Sequence, residues 1–426
     1  MLNGLQPCDL QAWLDWQERL HPAGMALGLE RVARVATRMG VLHPARHVVT
    51  VAGTNGKGSC AAYLEAILLR AGHRVGCYTS PHLVRYNERV RVQGRAVADE
   101  SLCRAFEQVE TARDGEALTY FEFGTLAALR LFADRSLDVA VLEVGLGGRL
   151  DAVNVVDPDA AVITSIGLDH TRWLGEDLEA IGYEKAGILR PARIAVCGER
   201  HPPHSIARRA RAIGARLYQR GRDFEAVETR HGWRWLGPHG EELDLPLPGP
   251  AGGMHMDNAA TAVTALALLR ERLPVTPRAM SLGLTAIDLP GRFQRLPGAV
   301  ETLLDVAHNP QAAEALAAQL DAHPVCGRQH AVVAMLGDKD AEAVLAAMAG
   351  RIDSWFVAGL GDRRGRTAGD LVALLGRVAP GWPAHALEDP VSAYRCAHDH
   401  AEPGDRIVVF GSFYTVAAVL ALGHNE

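Results

Sequence analysis

The seven cysteines of the chain form no C-x-x-C pair, and their odd number leaves no complete disulfide framework. A zinc knuckle and a disulfide-stapled secreted scaffold are thereby excluded, and the composition fits a reducing cytoplasm. An excess of positive charge is also missing. The formal net charge is −6, and the locally basic Arg208-Arg209-Ala210-Arg211 reads as a solvated helix face. This balance offers no electrostatic case for a nucleic acid or an anionic membrane. No basic-then-apolar leader opens the sequence and no apolar run approaches a membrane span, so a soluble cytoplasmic protein is expected. Internal repeats and low-complexity tracts are absent. No G-x-G-x-x-G follows the first strand-like run, which argues against a dinucleotide-binding dehydrogenase.

Apolar material, by contrast, is ample. With 426 residues, 48% of them hydrophobic, the chain exceeds one ordinary core and predicts two domains. Leu10, Trp13, Leu14 and Trp16, then Leu29, Val32, Val35 and Met39, recur at roughly helical spacing, with the Trp pair read as core packing. The β-branched run Val48-Val49-Thr50-Val51 reads as a buried strand. It breaks at Gly53 into Gly53-Thr-Asn-Gly-Lys-Gly-Ser59, after which Ala61, Leu64, Ile67 and Leu68 predict a helix to Gly72. Strand, glycine-rich turn and helix aim backbone N–H groups and a helix N-terminus at an anion. Lys57 supplies a positive charge for phosphates and Ser59 a hydroxyl near magnesium, although Val51 and Gly58 depart from the strict P-loop pattern.

Further strand ends carry polar residues. The strand beginning at His73 runs into Ser80-Pro-His82, where Ser80 is either a magnesium ligand or a turn-former before Pro81. Tyr86 to Gly94 is a surface hairpin or a loop over the site. Asp99 caps a helix to about Arg113, and Thr119 to Thr125 leads into an apolar helix ending near Asp134. Asp138 to Val144 is a buried strand ending on Glu143, an acid that is costly to bury unless paired or on a metal. Gly145 to Asp151 turns sharply, and Ala160 to Ile166 is another strand, ending in Gly167-Leu-Asp-His170. Ser80, Glu143 and His170 thus stand at separate strand ends beside the phosphate loop and suggest a divalent-cation site. Glu176 to Leu189 is a helix stopped by Pro191, in which spacing alone makes Lys185 a surface lysine paired with Glu184 or Asp177. Residues 193–218 read as strand-helix-strand, Phe224 to Leu247 as an antiparallel hairpin, Pro246 to Gly253 as a loop, and Met256 to Arg272 as an apolar helix holding Asn258. Pro290-Gly-Arg-Phe-Gln294 and Pro297-Gly298 mark a linker, dividing the chain into 1–296 and 297–426. Strands and helices then alternate in a smaller α/β unit, with Asp305 and His308 either facing the cleft or capping the next helix.

Taken in order, Gly53 to Ser59, Thr79 to Leu83, Glu143 to Asp151, Asp169-His170, Glu184 to Gly187, Pro290 to Phe293, Asp305 to Pro310 and Phe410 to Phe413 resemble the folylpolyglutamate synthase/dihydrofolate synthase family of Mur-type amide ligases. The resemblance runs from about residue 46 to the C-terminus. It implies an α/β fold: a P-loop-containing, Mur-ligase-like domain with a mostly parallel sheet, followed by a smaller Rossmann-like domain. Gly53, Thr54, Asn55, Gly56, Lys57, Gly58, Ser59, Asn258, Arg292 and Asp305 would bind ATP. Ser80, Glu143 and His170 would ligate magnesium, and Lys57, His170 and Lys185 would serve catalysis. Lys185 matches a lysine that the family carbamylates to help hold a second magnesium, which reverses the surface reading. Thr119, Tyr120, Phe121, Glu122, Leu150, Asp151 and Ala152 match positions that receive the pterin substrate, and Tyr86 to Val92 matches a loop near the active site. The implied reaction is ATP-dependent addition of L-glutamate to dihydropteroate and to tetrahydrofolate through an acyl phosphate, by a monomer. A monofunctional folylpolyglutamate synthase is the alternative. A cell-wall Mur ligase would carry a domain for a UDP-sugar ahead of the loop, where this chain has only about 50 residues. A nucleotide-binding regulator with a degenerate site would be free to lose the residues named above.

Overall fold

The run around Val48 forms β1 (His47–Ala52), the centre of an eight-stranded sheet. The others are β2 (Val75–Tyr78), β3 (Val90–Val92), β4 (Arg95–Ala96), β5 (Val139–Glu143), β6 (Ala160–Ile163), β7 (Ile194–Cys197) and β8 (Arg216–Gln219). The computed structural model describes residues 9–21, 27–249, 253–361 and 364–424. The opening segment of the leader reading and part of the 246–253 loop lie outside them. Strand order is β4-β3-β2-β5-β1-β6-β7-β8, with β2, β5, β1, β6, β7 and β8 parallel. Both faces are covered, so the strands are apolar throughout rather than alternating. Val49 and Val51 of β1 face the core shared with helices Lys57–Arg70, Gly253–Leu268 and Pro277–Thr285. Val48 and Ala52 face the other core, which holds Trp13, Phe106 and Phe123.

Three local expectations change. Residues 86–97 form a 3₁₀ turn (Tyr86–Arg89) followed by the β3–β4 hairpin at the sheet edge, and Tyr86, Asn87 and Arg89 are buried rather than on the surface. Asp99 is the first residue of its helix, not its cap, because its carboxylate is taken by Arg85 and Asn87. The hairpin at 224–247 is a three-stranded meander, β9 (Glu225–Thr229), β10 (Gly232–Leu236) and β11 (Glu242–Leu245). The third strand is needed to bury Trp233 and Trp235, whose indole N–H groups reach Pro246 O and Thr264 Oγ1.

The second sheet comprises β12 (Gln294–Leu296), β13 (Glu301–Leu304), β14 (Gln329–Val333), β15 (Ser354–Ala358), β16 (Ala384–Leu387) and β17 (Arg406–Phe410). Its order is β12-β13-β17-β14-β15-β16, parallel except for β12. Pro297-Gly298, read from sequence as the close of a linker, lies in the turn between β12 and its antiparallel partner β13, so this sheet already begins at Gln294. Among the described residues no helix is long and apolar enough to cross a membrane.

Candidate active site

Ligands of doubly wound sheets bind beyond the carboxyl ends of strands where the chain order reverses. Here that place is the end of β1, between β5 and β6. Gly53 leaves β1 at φ +154°, and a Cβ there would lie 1.9 Å from Thr164 Oγ1, so no other residue fits. Gly56 then adopts φ +81° and starts helix Lys57–Arg70 without any side-chain cap. Helices Tyr120–Ala133, Leu178–Lys185 and Pro310–Ala322 are capped by Thr119, Asp177 and Asn309. The uncapped end therefore keeps its N–H donors for an incoming anion, which is the fit a phosphate chain requires. Lys57 Nζ donates to Gly53 O and Thr54 O, both at 3.1 Å, and burial lowers its pKa.

Glu143, 2% exposed, ends β5 and accepts a 3.0 Å bond from Ser80 N–H. Burial raises its pKa against the opposing charges of Lys57, Arg292 and Arg91. A buried carboxylate beside the Ser80 turn suits a hard divalent cation. Among the described residues no three His, Cys, Asp or Glu side chains gather as a metal site. His170 faces Lys339 Nζ at 3.4 Å, and its pKa is pushed down to about 4 by burial.

Lys185 is 3% exposed and donates to Gly53 O at 2.8 Å, beneath the loop. Burial, with the nearby charge of Lys57, pulls its pKa down to about 7. The surface reading from spacing is therefore wrong: Glu184 pairs instead with Arg149, and Asp177 caps the helix. An amine that is neutral near neutral pH is chemically able to add carbon dioxide, which an ammonium is not.

One residue of the first domain's last long helix looks onto the loop. The Asn258 carboxamide lies against Gly56, whose hypothetical Cβ would be 2.4 Å from Asn258 Oδ1. Asn258 Nδ2 is buried without a partner, a donor left for a bound group, and His255 Nδ1 on the same helix is also buried unpaired. From the linker, Arg292 Nη2 comes within 3.1 Å of the Cβ position of Gly58, and its guanidinium stacks on Phe413 at 5.8 Å. Asp305 accepts from Phe293 N at 2.9 Å and Ala307 N at 2.8 Å, fixing the turn that carries Arg292.

The pterin set divides. Phe121 packs on Gly145, where a Cβ would meet its ring at 2.5 Å, and Asp151 accepts from Leu146 N and Val153 N on the same turn. Burial pushes the Asp151 carboxyl up to about 7. Ala152 is buried beside it, and Leu150 O accepts from Gly28 N. Tyr120 stands edge-on to Tyr86, with Arg89 over both rings. Thr119 and Glu122 are spent on each other as a capping box, and Glu122 is also held by Arg31.

Sequence reasoning gave no role to Asp169, Lys339, Asn309 or Gln311. Asp169 Oδ1 lies 2.6 Å from Lys339 Nζ, and Oδ2 is 3.5 Å from His308 Nε2. Burial alone would raise this carboxyl, but the His308 hydrogen bond and the Lys339 charge hold it well below the usual range. A buried acid next to His170 was the available signal; its partners lie in the other sheet.

A family model described as the Mur ligase middle domain matches residues 51–263, and one described as the Mur ligase glutamate ligase domain matches 291–413. A dihydrofolate synthase/folylpolyglutamate synthase from Escherichia coli K12 is 47% identical, covering 96% of this chain and 94% of the relative. The structure of E. coli FolC with DHPP and ADP superposes with a TM-score of 0.93 at 46% identity, covering 99% of each chain. A bifunctional folylpolyglutamate synthase/dihydrofolate synthase with Mn, AMPPNP and L-glutamate bound gives 0.91 at 47% identity, again over 99% of each chain. By sequence and by fold, this chain belongs to the dihydrofolate synthase/folylpolyglutamate synthase family of ATP-dependent Mur ligases.

Proposed function

We infer that the chain joins L-glutamate to dihydropteroate, forming dihydrofolate, and to tetrahydrofolate, forming polyglutamates, at the expense of ATP. The observation that carries this reading is the convergence of Glu143, Asn258 and Arg292, from three separate segments, on the uncapped loop at Gly56 to Ser59 that carries Lys57. Nucleotide phosphates belong on that N-terminus, with Asn258 supplying a donor beside Gly56. Ser80, Glu143 and His170 would hold one divalent ion, which neutralises phosphate charge when bound.

The substrate carboxylate attacks the γ-phosphorus, ADP leaves, and an acyl phosphate forms. The amine of glutamate then attacks the acyl carbon, loses a proton, and expels phosphate as the amide forms. The protein positions and neutralises rather than bonding covalently. Lys57 and Arg292 carry the positive charge that the transferring phosphoryl group requires. Lys185 adds carbon dioxide at Nζ, releasing a proton, and the resulting carbamate turns a cation into a carboxylate fit for a second ion. Phe121 and Asp151 receive the pterin. The first sheet's domain holds nucleotide and acyl substrate, and the second domain, divided from it within 290–298, delivers glutamate.

The test is phosphate release from ATP and magnesium with L-glutamate, comparing dihydropteroate with tetrahydrofolate. Turnover with both supports the bifunctional reading. Turnover with tetrahydrofolate alone makes the chain a folylpolyglutamate synthase and removes the pterin role of Phe121 and Asp151. No turnover with either, while ATP still binds, overturns these two acceptors and moves the case to a different acceptor or to a non-catalytic nucleotide binder.

A further inference from the structure

The loop proposed to hold phosphates is also where the two sheets are tied together. Asn55 was expected to serve ATP, yet its side chain is wholly engaged elsewhere. Its Nδ2 donates to Gln311 Oε1 at 2.7 Å and to Asn309 Oδ1 at 3.1 Å, and its Oδ1 accepts from Asn309 Nδ2 at 2.9 Å. The Asn55 backbone is held as well, N–H to Ser165 Oγ at 3.0 Å and carbonyl from Thr164 Oγ1 at 2.6 Å. Asn309, 2% exposed, also caps helix Pro310–Ala322 through Ala312 N and donates to Asp169 Oδ2. Losing Asn309 would therefore damage its own domain.

Gln311 is different. Its Oε1 accepts from Asn55 Nδ2 and from Ser165 Oγ at 3.4 Å, and its Nε2 lies 3.5 Å from Ile166 O. All three partners sit on loops of the first sheet. The carboxamide fills space that a side chain at Gly167 would need, since a Cβ there would be 2.8 Å from Oε1. A residue on the second domain's first helix turn thus spends its polar atoms across the interface. The contact is neutral, so it neither repels phosphates nor competes with Lys57.

We propose that Asn309 and Gln311 form an amide clasp on Asn55 that sets the phosphate loop against the second domain, with Gln311 a positioning residue for glutamate transfer. The turnover readout rests on the ligase reading; the exchange readout does not. Gln311→Leu keeps the volume and removes the amide, whereas Gln311→Glu keeps an acceptor for Asn55 and Ser165. Gln311→Asn shortens the reach and serves in place of the Leu variant if that one fails to fold. Backbone hydrogen exchange is followed over 53–59 and 164–170, with ADP affinity, kcat and KM for glutamate measured on the same samples. Expected for Gln311→Leu are faster exchange in both segments and a kcat lower by about tenfold, with ADP affinity changed by less than about twofold. Gln311→Glu keeps exchange in both segments slower than Gln311→Leu does, because Asn55 and Ser165 still find an acceptor, while its added negative charge beside the loop weakens ADP binding. Exchange confined to 309–322, or parent-like exchange and kcat in Gln311→Leu, overturns the clasp. If the parent itself fails to turn over, the reading of these two acceptors falls while the exchange contrast still decides the clasp.

Discussion

Replacing Lys185 by methionine tests how the site is built. Lys185 sits 3% exposed with its amine on Gly53 O, and burial takes its pKa from 10.5 to about 7. At about 1.4 kcal/mol per tenfold change in proton affinity, folding disfavours the ammonium by about 5 kcal/mol, an upper bound because local relaxation lowers it. The folded value lies below the unfolded one, so between about 7 and 10.5 the unfolded chain keeps a proton that the folded chain releases. Parent stability therefore rises with pH across that window, and the cost of burial is fully present below it. Methionine carries no such cost. Lys185→Met is expected to be more stable than the parent at about pH 6, by up to the figure above, with the advantage shrinking toward about pH 10. Urea unfolding of both proteins in carbon-dioxide-free buffer reads this out, following the tryptophans of the first domain. An advantage of equal size at both ends of the range, or a more stable parent at the acid end, would refute the account of Lys185 as a buried, deprotonation-prone amine.

Two further expectations concern turnover. Lys185→Ala should lose most activity, and short carboxylates such as acetate should restore part of it by supplying the missing oxygen ligands; a variant as active as the parent removes Lys185 from the mechanism. Gly56→Ala should weaken nucleotide binding by about tenfold or more, since φ +81° costs an alanine about 1–2 kcal/mol and its Cβ displaces the Asn258 carboxamide. Calorimetric titration with ADP checks this, and unchanged affinity would mean that the loop does not hold the nucleotide as described.

The α/β reading, the family and the strand–loop–helix at 48–72 were legible because each is written in short-range pattern. β-branched runs, glycines before a helical period, and acids at strand ends all act within a few residues of themselves. The meander at 225–245 and the hairpin across Pro297-Gly298 were misjudged because a turn signal does not say which strand it pairs. Residues singled out by motif also gained partners that no motif announces. Glu122 and Thr119 satisfy a helix end, Asp305 braces the Arg292 turn, and Asn55 faces the second domain.

By itself, the sequence determined the parallel strands and helices around the phosphate loop and which chemistry-bearing residues stand at their ends. Burial and long-range pairing were decided only by the tertiary structure. Lys185 meets Gly53 across 132 residues, and Asn55 meets Asn309 across 254. Helical spacing placed Lys185 on a surface because it counts only the helix's own faces, whereas a lysine's solvation, and with it the amine's charge, depends on what the other elements pack against it.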